Sequence, residues 1–324
     1  MIGLFMPTID PGAQVRTVSA SLSDVGRHRD HNEDAVLERG DLGLYVVCDG
    51  MGGHNAGDVA AKLATTSILN FFEATVDAEF AGTAPAGFDH IEPPALRLLS
   101  AIRKANRDVF TISNTVQSHQ GMGSTVVAAY ISADGMIHVA HVGDSRAYRL
   151  SEGELEQLTH DHSFINDVLR MKPDIDAAHL ARLPKNVITR ALGMREDVEV
   201  DVRSEPVVAG DVYMLCSDGL CGVLSPEQML EILVLNPDPA DACRRLIDAA
   251  NDAGSRDNIS AVVMRIDGAE ESSEDTIDED ASGRADGGEG LMVQGICATC
   301  GTALIEGSLF CVECGAPVGP ADDR

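Results

Sequence analysis

Basic residues are scarce in this chain. Its 324 residues include 24 Lys and Arg against 52 Asp and Glu, which gives a formal net charge of -28. Proteins that bind nucleic acid or an anionic membrane surface non-specifically need a basic face, and this composition does not supply one. The charge balance therefore argues against nucleic acid and membranes as partners.

Long apolar runs are absent as well. No stretch of the sequence approaches the roughly 18 apolar residues of a membrane-spanning helix. The apolar N-terminal stretch from Met1 to Phe5 is too short for a signal peptide, and it has no basic leader. We therefore expect a soluble, cytoplasmic protein.

The cysteines are distributed unlike a disulfide framework. Four lie between residues 48 and 243, and four lie between residues 297 and 314, which favours reduced thiols plus a metal site. The motifs Cys297-Ala-Thr-Cys300 and Cys311-Val-Glu-Cys314 are typical of a zinc ribbon, in which four thiolates hold one structural Zn²⁺. A module of this size cannot build a sufficient hydrophobic core. Binding of the metal would therefore supply its folding free energy.

Composition divides the chain into three parts. Residues 15–267 carry the apolar patterns of a large domain, and residues 291–319 form the predicted zinc ribbon. Between them, residues 268–290 are acidic, rich in Gly and Ser and nearly free of large apolar groups, so we expect a disordered linker. The ribbon is expected to bind a protein partner. Nucleic-acid binding and protection of the C-terminus are its alternative roles.

Apolar periodicity predicts the secondary structure of the large domain. The predicted helices cover about 57–75, 94–113, 226–235 and 239–253, with short helices in 161–185. The predicted strands cover 15–22, 44–48, 124–132, 136–142, 145–150, 155–158, 198–203, 211–216 and 260–266. Helices come in blocks and strands in hairpins. This order predicts an α+β domain of antiparallel sheets with helices packed outside.

Acidic residues stand one or two positions after three of the predicted strands, namely Asp49, Asp144 and Asp218. Further acids stand in charged loops, namely Glu33, Asp34 and Asp257. Like charges that converge are costly unless a cation neutralises them. The pattern therefore predicts one shared site for a hard cation, which prefers oxygen ligands.

Seven motifs occur in order along the large domain. They are Arg29-x-x-Asn32-Glu33-Asp34, Asp49-Gly50-Met51-Gly52-Gly53-His54, Gly123-Ser124-Thr125, Gly143-Asp144-Ser145-Arg146, Thr189-Arg190-Ala191-Leu192-Gly193, Ser217-Asp218-Gly219 and Asp257-Asn258. Together they resemble the motifs of the metal-dependent PP2C-type (PPM) serine/threonine protein phosphatases in their bacterial form. The resemblance implies a four-layer α-β-β-α sandwich of two antiparallel sheets flanked by helices, to which the C-terminal zinc ribbon is added.

The resemblance also implies a reaction and its metals. A hydroxide that bridges two Mn²⁺ or Mg²⁺ ions would attack phosphoserine or phosphothreonine directly, and a third ion would bind more weakly. The implied partners are phosphoprotein substrates, the products of a cognate serine/threonine kinase. The alternative is a catalytically conditional or inactive PP2C-fold module that binds or regulates phosphoproteins. Loss of a metal-binding carboxylate would favour that alternative, and none is missing.

The family's metal ligands map onto the acids of these motifs. Asp49 is expected to bridge both ions, and Gly50 to offer its carbonyl oxygen to one of them. Asp218 and Asp257 are expected to hold the other ion. The expected supporting ligands are Glu33 and Asp34, which would anchor the site directly or through water, and Asp144, which would bind the third ion together with Asp218.

Two further residues are candidates for catalysis. Arg29 is expected to clamp the phosphate, because a guanidinium binds two phosphoryl oxygens at once; its alternative is an ion pair with Asp30 or Glu33. His54 follows the bridging acid at a longer spacing than the family's general-acid histidine. It would either protonate the leaving alkoxide or order the loop and the helix after it.

Overall fold

Two antiparallel sheets form the centre of the fold. A computed structural model describes residues 15–52, 56–75, 91–180, 182–184, 187–269, 293–296 and 303–305. The strands are β1 (Val15–Asp24), β2 (Asp34–Arg39), β3 (Leu44–Met51), β4 (Gly123–Ser124), β5 (Val126–Ile131), β6 (Met136–Val142), β7 (Arg146–Ser151), β8 (Glu154–Gln157), β9 (Asp201–Pro206), β10 (Val212–Cys216), β11 (Ile259–Ala269), β12 (Val293–Ile296) and β13 (Ala303–Ile305). The α-helices are α1 (Ala56–Ala74), α2 (Pro93–Thr115), α3 (Phe164–Met171), α4 (Ala177–Leu180), α5 (Asp218–Cys221), α6 (Pro226–Leu235) and α7 (Pro239–Asp252).

The strand order separates the two sheets. One sheet has the order β1-β11-β10-β7-β8, and the other has the order β2-β3-β5-β6-β9 with β4 paired to β3. Each neighbouring pair in these sheets is antiparallel. Strands β12 and β13 pair with each other in a separate two-stranded sheet. The predicted α+β class with antiparallel sheets is confirmed.

Alternation along the strands creates the layers. On β3, Leu44, Val46 and Cys48 pack against a core that α1 and α2 share. Tyr45 and Val47 point to the opposite face, where they meet the second sheet. A third core joins that second sheet to α6 and α7. Because successive strand residues face opposite sides, one strand serves two cores and the order of layers is helix, sheet, sheet, helix.

Local signals explain where the last helices begin. Ser225 and Gln228 form a capping box at the start of α6. Asp238 caps α7 by accepting hydrogen bonds from two backbone amides, and Pro239 follows at the first helical position. These caps explain why the start positions predicted from the sequence agree with the structure.

Three strands differ from the sequence prediction. Residues 34–39 form β2, which apolar periodicity did not indicate, and the strand predicted over 198–203 lies at Asp201–Pro206. Strand β11 runs to Ala269, past the predicted domain boundary at 267. Within the described residues, no helix is both long and apolar enough to cross a membrane.

Candidate metal centre and active site

Antiparallel pairing brings the predicted metal ligands to one edge of the sheets. Asp49 near the end of β3 pairs in register with Asp34 at the start of β2. On the other sheet, Asp218 follows the end of β10, and Asp257 precedes the start of the neighbouring β11. Asp144 lies two residues after the end of β6. The charges of these acids raise one another's pKa values.

Burial and mutual repulsion make these carboxylates difficult to ionise. Desolvation raises the pKa of Asp49 well above its usual value, and the charges of Asp34, Asp218, Asp257 and Asp144 raise it further. Desolvation is also the main reason that the pKa values of Asp34 and Asp144 rise to about 7. Desolvation and then the charge of Asp257 raise the pKa of Asp218. A bound cation would offset the repulsion between these carboxylates and favour their ionised forms.

The donor set fits Mn²⁺ or Mg²⁺. One oxygen of Asp144 and one of Asp218, Oδ1 in each case, are buried without a hydrogen-bond partner among the described residues. Carboxylate and carbonyl oxygens are the ligands that these hard cations prefer. The unpartnered oxygens and the raised pKa values therefore both indicate a cation site.

Two serines that the sequence prediction did not identify hold Asp34. Its Oδ2 accepts hydrogen bonds from the hydroxyls of Ser217 at 2.8 Å and Ser260 at 2.7 Å. Both serines are fully buried. Ser217 precedes Asp218 in its motif, which was the only sequence signal for it. Asp34 is thereby fixed in orientation beside Asp49.

The Glu33 loop is tied to three other segments. The Glu33 backbone amide donates to Asn258 Oδ1 at 2.8 Å, and the Glu33 carbonyl accepts from the Gly50 amide at 3.1 Å. Desolvation raises the pKa of the Glu33 side chain, against the opposing effects of the Arg29 charge and the Gly57 amide in the first turn of α1. These contacts place Glu33 at the same edge as the buried acids.

Ser124 and Thr125 position the backbone of Asp49. Thr125 Oγ1 accepts from the Asp49 amide at 3.1 Å, and the Thr125 amide donates to the Asp49 carbonyl at 2.8 Å. The Ser124 hydroxyl donates to that same carbonyl at 3.0 Å. Their motif therefore serves the geometry of Asp49.

Arg29 lies at the solvent side of the acids. Its Nη2 donates to Asp257 Oδ2 at 2.7 Å and its Nε to the Arg256 carbonyl at 3.3 Å. Its Nη1 is 4.0 Å from Glu33 Oε2, and 43% of the side chain is exposed. The main ion-pair partner is thus Asp257, rather than Asp30 or Glu33. An exposed guanidinium beside the acids is well placed to meet an incoming phosphate.

Some predicted residues lie outside the described part of the chain. They are His54 and the four tail cysteines Cys297, Cys300, Cys311 and Cys314. The roles assigned to them stay predictions. The structure does bring Arg29, Glu33, Asp34, Asp49, Gly50, Asp144, Asp218 and Asp257 to one edge of the sheets.

The raised pKa values predict an unusual pH dependence for the metal-free protein. The carboxyls of Asp34 and Asp144 change from a usual pKa of 3.8 to about 7 on folding. Between these values the folded chain holds a proton that the unfolded chain has lost, so the free energy of unfolding falls as pH rises through this window. In EDTA, calorimetry should give a higher Tm at about pH 5.5 than at about pH 7.5.

Saturating Mn²⁺ should weaken or reverse this trend, because the ions replace the protons. Asp144→Asn should flatten the slope in EDTA, since the amide cannot titrate. A Tm in EDTA that rises between these two pH values in the wild type would contradict the assignment.

The fold and the site together define a class of protein: a two-sheet sandwich with an oxygen-donor metal centre at one edge. The profile of the family described as protein phosphatase 2C matches residues 26–264. The chain belongs to this family.

Individual relatives agree with the family match. The serine/threonine phosphatase stp of Listeria monocytogenes is 36% identical over 248 residues, which cover 76% of this chain and 94% of that protein. The crystal structure of the Mycobacterium tuberculosis serine/threonine phosphatase PstP/Ppp matches with a TM-score of 0.66 and 33% identity, and covers 78% of this chain and 99% of that one. A structure of the PstP catalytic domain in complex with 2 manganese ions has a TM-score of 0.65 and 32% identity, with the same coverage.

Proposed function

We propose that this protein is a metal-dependent protein serine/threonine phosphatase that hydrolyses phosphoserine and phosphothreonine in phosphoproteins. The observation that carries the proposal is the cluster of buried and half-buried carboxylates at one sheet edge, with Arg29 at its solvent side. Membership of the protein phosphatase 2C family and relatives of about 30–36% identity support it. Release of phosphate from a phosphothreonine peptide, measured with EDTA, Mg²⁺ or Mn²⁺, tests it. Peptide binding without release in any metal would favour a phosphoprotein-binding module instead.

In this proposal each acid has a role toward two Mn²⁺ or Mg²⁺ ions. Asp49 would contact both, the Gly50 carbonyl would contact one, and Asp218 and Asp257 would hold the other. Glu33 and Asp34 support the pair, and Asp144 helps to bind a third, weaker ion. When bound, such ions lower the pKa of water and offset negative charge on phosphoryl oxygens. The general-acid role of His54 stays a prediction.

Arg29→Ala should mainly weaken substrate binding. A charge-assisted hydrogen bond to phosphate is worth about 1.5–3 kcal/mol, so KM for the phosphopeptide should rise by about 10-fold or more. Steady-state kinetics on the phosphothreonine peptide measure this change. Arg29→Lys is the matched control, because it keeps the charge but loses the bidentate geometry, and it should fall between the wild type and Arg29→Ala. An unchanged KM in Arg29→Ala would remove Arg29 from the phosphate site.

We further propose that the four tail cysteines bind one structural Zn²⁺ and that this ribbon recognises a protein partner. The two C-x-x-C motifs support this proposal. Cys297→Ser should reduce bound zinc from about one per chain toward zero, measured by elemental analysis. Turnover of a small aryl phosphate should change little, because the ribbon lies outside the catalytic domain. Loss of that turnover in a folded variant would contradict two independent modules.

The proposed substrates are products of a cognate serine/threonine kinase. This pairing is implied by membership of the family, because phosphoserine and phosphothreonine must be formed by a kinase before a phosphatase can hydrolyse them. Its specificity would arise outside the metal site, from loops around it.

A further inference from the structure

The residues on either side of Asp144 in the chain are bound by Asp161 and His162. These two residues belong to the segment 160–190, which we call the flap. Gly143 directly precedes Asp144. Its amide donates to His162 Nδ1 at 3.1 Å, and its carbonyl accepts from the His162 amide at 2.9 Å. After Asp144, the Arg146 guanidinium donates to both oxygens of Asp161, at 2.9 and 2.8 Å. The position of this predicted metal ligand therefore depends on the flap.

The Gly143 turn has little freedom to adjust. Gly143 has a φ of +113°, and a Cβ at this position would lie 2.6 Å from Thr125 Cβ. Thr125 shares a 2.7 Å hydrogen bond with the Ser145 hydroxyl and also accepts from the Asp49 amide. One set of contacts thus runs from His162 through the turn to the backbone of Asp49.

The second nitrogen of His162 has a different task. Since Nδ1 accepts the Gly143 amide proton, the neutral ring carries its own proton on Nε2. That nitrogen lies 3.4 Å from Asp201 Oδ2 and 3.3 Å from Arg190 Nη1. A protonated Nε2 can donate to the Asp201 carboxylate but cannot accept from the Arg190 guanidinium. Arg190 also donates to Asp201, at 3.0 Å, and ion-pairs with Glu199 at 3.0 Å. Asp201 and Arg190 therefore fix the ring so that Nδ1 meets the Gly143 amide.

This arrangement does not suit a metal ion, although His141, His162 and Asp201 have ligand atoms within 4.8 Å of one another. The two imidazole rings stack at 4.7 Å with only 13° between their planes, so their in-plane lone pairs do not converge on one point. His141 Nε2 is engaged with the His160 carbonyl at 2.9 Å. Arg190 already supplies the positive charge that Asp201 needs.

We propose that His162 is a positioning residue, whose Nδ1 holds the Gly143 turn so that Asp144 can bind the third divalent ion. This inference rests on the proposed function, because it takes Asp144 as a metal ligand. It explains why the Gly143–Arg146 and Thr189–Gly193 motifs accompany the metal ligands although most of their residues are not ligands themselves.

Two substitutions separate the roles of the two ring nitrogens. In His162→Asn, the side-chain oxygen stands near the position of Nδ1 and can still accept from Gly143. In His162→Gln, the longer amide reaches the position of Nε2 and can still donate to Asp201, but the Nδ1 acceptor is lost. The proposal requires Asn to preserve, and Gln to disrupt, the geometry of Asp144.

Mn²⁺ titration calorimetry on the full chain tests this, with Asp144→Asn as the reference for losing the third ion. His162→Gln should weaken the Asp144-dependent ion by about 10-fold or more, the range for outer-shell partners of ligands, while the tighter ions are unchanged. His162→Asn should retain wild-type affinity. His179→Gln is the matched control, because it is the same change at an exposed flap histidine. Hydrogen exchange at the Gly143 amide should be faster in His162→Gln alone.

Equal behaviour of His162→Asn and His162→Gln would overturn the proposal, as would equal weakening of every ion, which indicates a merely structural role. The absence of an Asp144-dependent ion in the wild type would overturn it too. These binding readouts are independent of turnover. A wild type that binds Mn²⁺ as described but releases no phosphate would contradict the proposed function and leave the positioning role of His162 standing.

Discussion

Asp49→Asn is expected to lower phosphate release by about 1000-fold or more, because metal ions supply several kcal/mol of transition-state stabilisation and each 1.36 kcal/mol is tenfold in rate. Asp49 lies at the centre of the clustered acids, and the charges of four of them raise its pKa. An amide at this position cannot supply the negative charge that two cations share. The measurement is kcat on the phosphothreonine peptide in Mn²⁺.

The same variant should be at least as stable as the wild type in EDTA. Desolvation and the neighbouring acids disfavour the Asp49 carboxylate in the metal-free protein, and asparagine removes that charge with nearly the same shape. The increase in Tm on adding Mn²⁺ should shrink, because the ions lose a ligand.

Asp252→Asn is the matched control for this experiment, since Asp252 is an exposed acid that ion-pairs with Arg27. It should change neither turnover nor the Mn²⁺ response. Retained turnover in Asp49→Asn, or a large loss of stability in EDTA, would show that Asp49 is structural.

Gly50→Ala should disrupt the fold and the metal centre together. A Cβ on Gly50 would lie 2.0 Å from the Gly57 carbonyl oxygen and 2.6 Å from the Glu33 carbonyl oxygen. Both obstacles are backbone atoms, so β3, the Glu33 loop and the start of α1 would have to separate. Overpacking of this kind costs about 1–3 kcal/mol or more.

Thermal unfolding and Mn²⁺ titration of Gly50→Ala measure these two effects. Gly40→Ala is the matched control, because the nearest atom to its Cβ is the Tyr45 hydroxyl at an ordinary 3.6 Å. We expect a lower Tm and weaker Mn²⁺ binding only in Gly50→Ala. A wild-type Mn²⁺ affinity in Gly50→Ala would mean that the site does not need this close approach.

The centre of the site was predictable because its signals are local. An apolar run that ends at Asp49 and Gly50 indicates a buried strand that delivers a carboxylate into a tight turn, and β3 confirms the strand. The same signal precedes Asp218, where β10 ends at Cys216. The charged loop at Glu33 carried no periodicity, and its place in the site came from the motif.

Other features depend on contacts between distant segments, which no local pattern contains. Strand β2 is half-buried along most of its length, so its residues lack the alternation that marks a strand. The Ser260 contact to Asp34 and the Arg29 contact to Asp257 each join residues more than 200 positions apart. The hydrogen bond from the Gly143 amide to His162 likewise forms only when the flap is folded against the Gly143 turn.

A crystal structure grown in Mn²⁺, with anomalous scattering measured at the manganese edge, tests the proposed two-metal centre most directly. We predict two strong peaks on either side of the Asp49 carboxylate, one of them contacted by Asp218 and Asp257, and a weaker third peak at Asp144. A single peak, or manganese bound between His141, His162 and Asp201 instead, would contradict the two-metal centre.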